Sequence, residues 1–233
     1  MRLNAWLARS LGTSRRACDA LIRAGAVKIA GRTGRFHDRV EPGVEVLLRG
    51  RSLTSPASRY LALNKPAGVV TARRDARDRT VFDLLEPAER ELFPVGRLDR
   101  DSRGLLILTN DGDWANRLLH PSYGARKVYH VSLDRDLPIE SARAEIALDD
   151  GPSRFLEVAS ADPRRGNGFL VTLVEGRKRQ IRRAFRALDR RVIDLVRISV
   201  GDINLGRLKE GAWRDLTPRE IESVRNNGAK KHK

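Results

Sequence analysis

The sequence predicts an α+β protein in two parts: a small αα-ββ domain at the N-terminus, then a larger domain on a mixed, mainly antiparallel sheet. Three observations carry that reading. Leu3, Trp6, Leu7 and Leu11 recur at the spacing of an amphipathic helix. A second helical pattern and two short apolar runs complete the first fifty residues. From Tyr60 onward, apolar runs of strand length alternate irregularly with polar loops and few helical stripes, a texture that argues against regular βαβ units.

Taken in order, Gly12 ends the first helix, and Thr13-Ser14 offers an N-cap for a second over residues 15–24, closed by Gly25. On that helix Arg15, Arg16, Asp19 and Arg23 share one arc, while Ala17, Cys18, Leu21 and Ile22 occupy the other. Arg15, Arg16 and Arg23 suit contact with backbone phosphates, and equally suit an ordinary solvated face. Strands follow at 27–29 and 44–48, the second after the Pro42-Gly43 turn. The first domain thus covers residues 1–48. Residues 49–58, with a Gly, a Pro and three Ser, form the expected linker. The larger domain spans 59–225, with strands expected at 61–63, 69–70, 105–109 and 170–174 and helices at 114–120 and 180–188. Residues 226–233 close the chain as a basic arm.

Charge narrows the partners. In 233 residues there are 46 Lys+Arg against 30 Asp+Glu, a formal net charge of +16, with a pI near 11.1. Such a field concentrates polyanions and gains from counterion release, which points to nucleic acid. One cysteine, Cys18, excludes an internal disulfide and a Cys-rich zinc site. His37, His120, His130 and His232 lack metal-ligand spacing. No signal-like or membrane-length apolar run is present, so a cytosolic protein without membrane contact is expected.

The densest chemistry lies in Gly96-Arg97-Leu98-Asp99-Arg100-Asp101-Ser102-Arg103-Gly104, which feeds an apolar run ending in Asn110-Asp111-Gly112. A polar loop at the mouth of a buried strand is a usual seat for catalytic groups. Asp99 stands between Arg97 and Arg100, and cations there would keep a carboxylate ionised for nucleophilic work. Half of a structural ion pair is the alternative role. Further on, Arg179, Arg182, Arg183, Arg186 and Arg190 share one helical face opposite Ile181, Ala184, Phe185 and Leu188. Twelve aromatics in all argue against a broad base-stacking platform.

Four blocks carry a family resemblance. Gly96 to Gly112 resembles the signature of bacterial ribosomal-RNA pseudouridine synthases, in the branch that has an S-four-like RNA-binding domain ahead of the catalytic one. Asn64-Lys65-Pro66-Ala67-Gly68, Lys127-Val128-Tyr129 and Gly176-Arg177-Lys178-Arg179-Gln180-Ile181-Arg182-Arg183 match the family's remaining blocks in the expected order. Residues 1–48 are similar to the S-four fold, with Ala30-Gly31 where that fold usually has Asn-Gly. The resemblance implies isomerisation of a specific uridine in ribosomal RNA to pseudouridine, without cofactor or metal, by a monomer acting on ribosomal RNA or a subunit assembly intermediate. It implies that Asp99 carries the reaction on a flipped uridine. Tyr129 would stack on the base, and Arg182 would pair with Asp99. RNA contact is expected of Arg15, Arg16, Arg23, Lys65, Arg97, Arg179, Arg183, Arg186 and Arg190. Two rivals remain: a non-catalytic assembly factor on the same fold, which has no need of Asp99, Tyr129 and Arg182 together, and a metal-dependent nuclease using Asp99, Asp101, Asp111 and Asp113. In the second case Asp113 is more naturally an N-cap for the helix at Trp114.

Overall fold

A computed structural model describes residues 1–162 and 166–226; the basic arm beyond Asn226 lies outside the described residues. Two compact units emerge, Met1–Arg59 with Asn110–Asp113, and Tyr60–Thr109 with the chain from Trp114 on.

In the first unit, α1 (Leu3–Leu11) and α2 (Arg15–Arg23) pack on a four-stranded antiparallel sheet. Its strands are β1 (Val27–Ile29), β2 (Arg32–Thr33), β3 (Val46–Leu48) and β4 (Arg51–Leu53), in the order β2-β1-β3-β4. Ser14 caps α2 by accepting the Ala17 N–H at 3.1 Å. The apolar stripe of each helix closes on one core: Leu3, Leu7, Cys18, Ile22, Val27, Ile29, Val40 and Val46. Ala17, expected on the buried side, is exposed. Two strands were not foreseen. Both belong to hairpins with two-residue loops, Ala30-Gly31 and Arg49-Gly50, in which both residues take positive φ (47° and 78°, 49° and 80°). Such loops match the natural strand twist, so the chain returns at once into β2 and β4. The expected linker is accordingly shorter than 49–58, because Arg51–Leu53 pairs with β3.

The second unit is built on a nine-stranded sheet. Its strands are β5 (Tyr60–Lys65), β6 (Phe93–Val95), β7 (Arg103–Thr109), β8 (Lys127–Leu133), β9 (Glu157–Ser160), β10 (Gly168–Leu173), β11 (Val192–Val200), β12 (Ile203–Asn204) and β13 (Trp213–Asp215). The order is β13-β5-β7-β11-β8-β10-β9, with β6 on β7 and β12 on β11. All pairings within it are antiparallel except β7 with β11, so the expected mixed, mainly antiparallel α+β architecture is the one observed. α3 (Gly112–Leu119), α4 (Ile139–Arg143), α5 (Gln180–Ala187) and α6 (Pro218–Asn226) complete the fold.

Both faces of this sheet are covered. Alternation along β5 and β7 sends Leu61, Leu63, Leu106 and Leu108 into one core with Ile181, Ala184 and Phe185 of α5. Tyr60, Ala62, Leu105 and Ile107 enter the other, with Trp114, Leu118 and Val224. α3 begins at Gly112, two residues before the expected start, and Asp113 lies in its first turn. Asp111, not Asp113, receives an N–H there, that of Asp113 at 3.2 Å. At the parallel join, Gly104 has φ 101°, and a Cβ there would collide with the Arg197 backbone; a side chain would force β7 and β11 apart. No helix of the described residues is long and apolar enough to cross a membrane.

Candidate active site

The segment between β6 and β7 carries Asp99, and an unusual number of bonds hold it. Thr71 Oγ1 donates to Leu98 O (2.9 Å) and accepts the Leu98 N–H (3.3 Å). The Gly68 N–H donates to Arg100 O (2.8 Å) and the Ser102 N–H to Asp99 O (3.1 Å). Lys65, at the end of β5, is fully buried. Its ammonium donates to Ser102 O (2.6 Å), Pro66 O (2.8 Å) and Arg100 O (3.4 Å). Burial pushes the Lys65 pKa down to about 8, against the pull of Asp101, Asp99 and Glu210. Lys65 was expected on the RNA; it is instead a tie beneath the Asp99 loop, out of reach of any ligand. The Asn-Lys-Pro-Ala-Gly block therefore acts through backbone geometry, with Gly68 at φ 83° bringing its N–H onto Arg100 O.

Above the loop lies a cavity of about 580 Å³. Leu98, Tyr129, Leu173, Ile181 and Leu195 give it an apolar floor shared with the main core, and Asp99 and Arg179 stand at its polar side. Tyr129 is fixed by the pairing of β8 with β10 and β11, opposite Val171 and Arg197, and is 9% exposed. An apolar floor beside a carboxylate suits a single uncharged planar ring. Arg97 lines the same cavity from the solvent side.

The electrostatics differ from expectation in which arginine meets which carboxylate. The cation beside Asp99 is Arg179, with Nη1 3.9 Å from Oδ2. Arg100 turns away to Asp78 (2.8 Å). Arg182, expected on Asp99, is spent elsewhere: Nη1 donates to Val192 O (3.0 Å), Nη2 to Asp101 O (2.8 Å), and Nε lies 3.3 Å from the Asp101 carboxylate. Two backbone carbonyls thus claim its fork before Asp99 can. Asp101 joins both arginines, because Arg179 also grips it with two bonds of 2.9 Å. The hydrogen bond from Arg179, then the Arg182 charge, holds the Asp101 carboxyl below its ordinary value. Arg179 reaches this position by taking φ 51° just before α5, a left-handed turn that no glycine announces.

Arg179 and Arg182 also line a second concavity of about 490 Å³. Arg183, Arg186 and Arg190 of the expected basic stripe line it, as do Arg135 and Arg191, which the stripe did not include. Carboxylates thin this charge. Asp189 takes Arg135 at 2.7 Å and Asp150 takes Arg183 at 2.8 Å, while Arg190 donates to Asp136 O and Asp189 O. Arg186 projects into solvent. Asp101, Arg135 and Arg191 were missed. Asp101 was legible as the second acid of Asp-x-Asp, whereas Arg135 comes to the helix only through the turn after β8. In the first unit, Arg15, Arg16 and Arg23 are all exposed on α2, as expected.

Among the described residues no group of three or more His, Cys, Asp or Glu side chains is placed to hold a metal ion, and the nuclease reading needs one. The protein comparisons agree with the geometry. The model of the RNA pseudouridylate synthase family matches residues 59–187. An uncharacterized RNA pseudouridine synthase of Aquifex aeolicus is 35% identical over 232 residues, covering 97% of this chain and 96% of that protein. The ribosomal large subunit pseudouridine synthase B of Bacillus subtilis is 34% identical over 233 residues, with coverage of 96% and 95%. A crystal structure described as pseudouridylate synthase superposes with a TM-score of 0.69 at 30% identity, over 96% of this chain and 99% of that one. The family model matches more than half of the chain, and relatives 35% and 34% identical run along nearly its whole length, so the chain belongs to the RNA pseudouridylate synthase family, as an isomerase that acts on uridine in RNA.

Proposed function

We propose that this enzyme modifies a specific uridine of ribosomal RNA, in the branch that carries an S-four-like docking domain, and that Asp99 is its catalytic group. The observation that carries the site assignment is Asp99 held at the rim of the Tyr129 cavity by a loop tied down at Leu98, Arg100 and Ser102. The target uridine leaves its stack and lies against Tyr129. Its N1–C1′ bond breaks, the uracil turns, C5 bonds to C1′, the C5 proton is released and N1 takes up a proton, so the reaction is an isomerisation with no co-reactant. Asp99 acts on the sugar or base covalently, or by promoting a glycal; both routes need its carboxylate within reach of C1′ or the ring. Arg179 sets that carboxylate, and Arg182 sets the loop through Asp101 O. Fixing reacting groups in this way supplies a large part of a barrier reduction.

Arg179, Arg183, Arg186 and Arg190, joined by Arg135 and Arg191, hold phosphates of the strand beside the flipped nucleotide. Arg97 does so at the cavity mouth, and Arg15, Arg16 and Arg23 dock more remote RNA. Residues 1–53 form the docking domain and the chain from Tyr60 the catalytic one. The experiment is to map pseudouridines in ribosomal RNA from cells with and without the gene. Loss of a single ribosomal position is expected. An unchanged ribosomal map, with the missing pseudouridine in another RNA class, refutes the substrate assignment.

A further inference from the structure

The first unit holds a feature outside the Asp99 cavity that the Arg15–Arg16–Arg23 face reaches only through Arg23: a stiff loop, residues 34–39, that exposes an aromatic ring. The stiffness comes from Asp38, which is 7% exposed. Its carboxylate accepts from both Arg32 Nη atoms, at 2.7 and 2.8 Å, and from the Arg35 N–H at 2.7 Å. The Arg32 hydrogen bond, then the Arg35 amide, holds the Asp38 carboxyl at about 2, so this anchor keeps its charge throughout the working pH range. The backbone adds Gly34 N–H to Val27 O (2.8 Å), Leu3 N–H to Asp38 O (2.9 Å) and Val40 N–H to Met1 O (2.8 Å).

A loop fixed this firmly could turn its aromatic residue inward, yet Phe36 is 47% exposed. Cations gather around it. The Arg23 guanidinium sits 5.8 Å from the ring centroid, and a concavity of about 330 Å³ is lined by Phe36, His37, Arg2 and Arg39. Arg2 and Arg39 face each other across a backbone bridge. Among the described residues none of Arg2, Arg23 and Arg39 has a carboxylate partner, in contrast to Arg32. An apolar protein surface would strand these charges, whereas an anion with a flat aromatic part would satisfy ring and charges together.

We propose that Phe36 is a stacking site for one unpaired base of the RNA, with Arg2, Arg23 and Arg39 holding the flanking phosphates. Bases in a duplex already stack on each other, so only a single-stranded segment, a bulge or a loop can use the ring. The site rests on the reading of the chain as an RNA-modifying enzyme but not on which RNA it modifies. It adds a check on secondary structure to the docking unit: phosphates along any strand can satisfy α2, whereas Phe36 accepts only an unpaired base.

The test uses the full chain and a short single-stranded oligoribonucleotide carrying one 2-aminopurine, with its duplex as a control. Binding of the single strand should quench the fluorophore, and Phe36→Ala and Phe36→Leu should each weaken it roughly ten-fold. Phe36→Tyr should bind like the native protein. The slope of log affinity against log salt should be unchanged in the Phe36 variants, and should fall by about one unit per arginine in Arg23→Gln and Arg39→Gln. Duplex binding and turnover at saturating RNA should not respond to Phe36. Native-like unfolding temperatures in the Phe36 variants would show that the loop still stands on Asp38. Single-strand affinity unchanged in Phe36→Ala, retention by Phe36→Leu, or an equal loss on the duplex would each overturn the stacking site. If the oligonucleotide binds through Phe36 while no ribosomal pseudouridine depends on the gene, the substrate assignment fails and the stacking site stands.

Discussion

Replacing Lys65 with Met tests whether the Asp99 loop is held from beneath by a buried ammonium. In the folded state burial lowers the Lys65 pKa from 10.5 to about 8, so between those values the unfolded chain binds more protons than the native one. Stability then rises with pH across that window, and the destabilising contribution is fully present below about pH 8. Integrated from about pH 7.5 to about pH 9.5, the rise attributable to this one group is about 2 kcal/mol. Lys65→Met removes it and leaves Ser102 O and Pro66 O without their donor, at roughly 1–3 kcal/mol each. Near neutral pH the two effects largely offset, because the variant no longer buries a charge. As pH rises the native protein gains and the variant does not. Urea denaturation at a series of pH values, read as native minus variant, cancels the groups common to both. The difference should widen by about 2 kcal/mol in favour of the native protein between about pH 7.5 and about pH 9.5. A difference that does not change with pH would show that Lys65 is not a buried ammonium, and the account of the loop would fall. With the loop untied, kcat should also drop on the order of ten- to a hundred-fold, since Asp99 would no longer be fixed relative to Tyr129.

Three further outcomes follow from the site. Asp99→Asn should abolish tritium release from 5-labelled uridine in RNA while filter binding changes only a few-fold, because it removes the reacting carboxylate and little of the contact surface. Arg179→Gln should lower turnover at saturating RNA more than it lowers affinity, as expected of the group 3.9 Å from Asp99; equal losses in both would make it a phosphate contact alone. Gly104→Ala should cost about 3 kcal/mol or more in thermal or urea unfolding, since the added Cβ meets the Arg197 oxygen and, at 2.7 Å, its nitrogen, at φ 101°.

How far the sequence could be read depended on segment length. α1, α2 and α5 each carry a stripe long enough to show a period, and β7 is an uninterrupted apolar run. β2, β4, β12 and β13 have two or three residues each, too few for alternation, and β6 contains Pro94, which ordinarily argues against a strand. The sequence motif marked Asp99, and the structure brings Tyr129 to the same cavity. The arginine pairing was not legible, since the αL turn at Arg179 decides which guanidinium meets which acid. Lys65 misled for a general reason: lysine is almost always exposed, and only the three carbonyls gathered around it make burial tolerable.

The strand order has a consequence for the birth of the protein. β5 is buried along its whole length and lies between β7 and β13, yet β13 (Trp213–Asp215) is synthesised long after it. At ordinary elongation rates the delay between them is on the order of ten seconds. Through that interval a strand destined for full burial has one row of N–H and C=O groups unpaired, the template on which chains associate wrongly. Truncations that stop short of Trp213 would keep that row open permanently and should be recovered as aggregates, even though they retain Asp99, Tyr129 and all of α5.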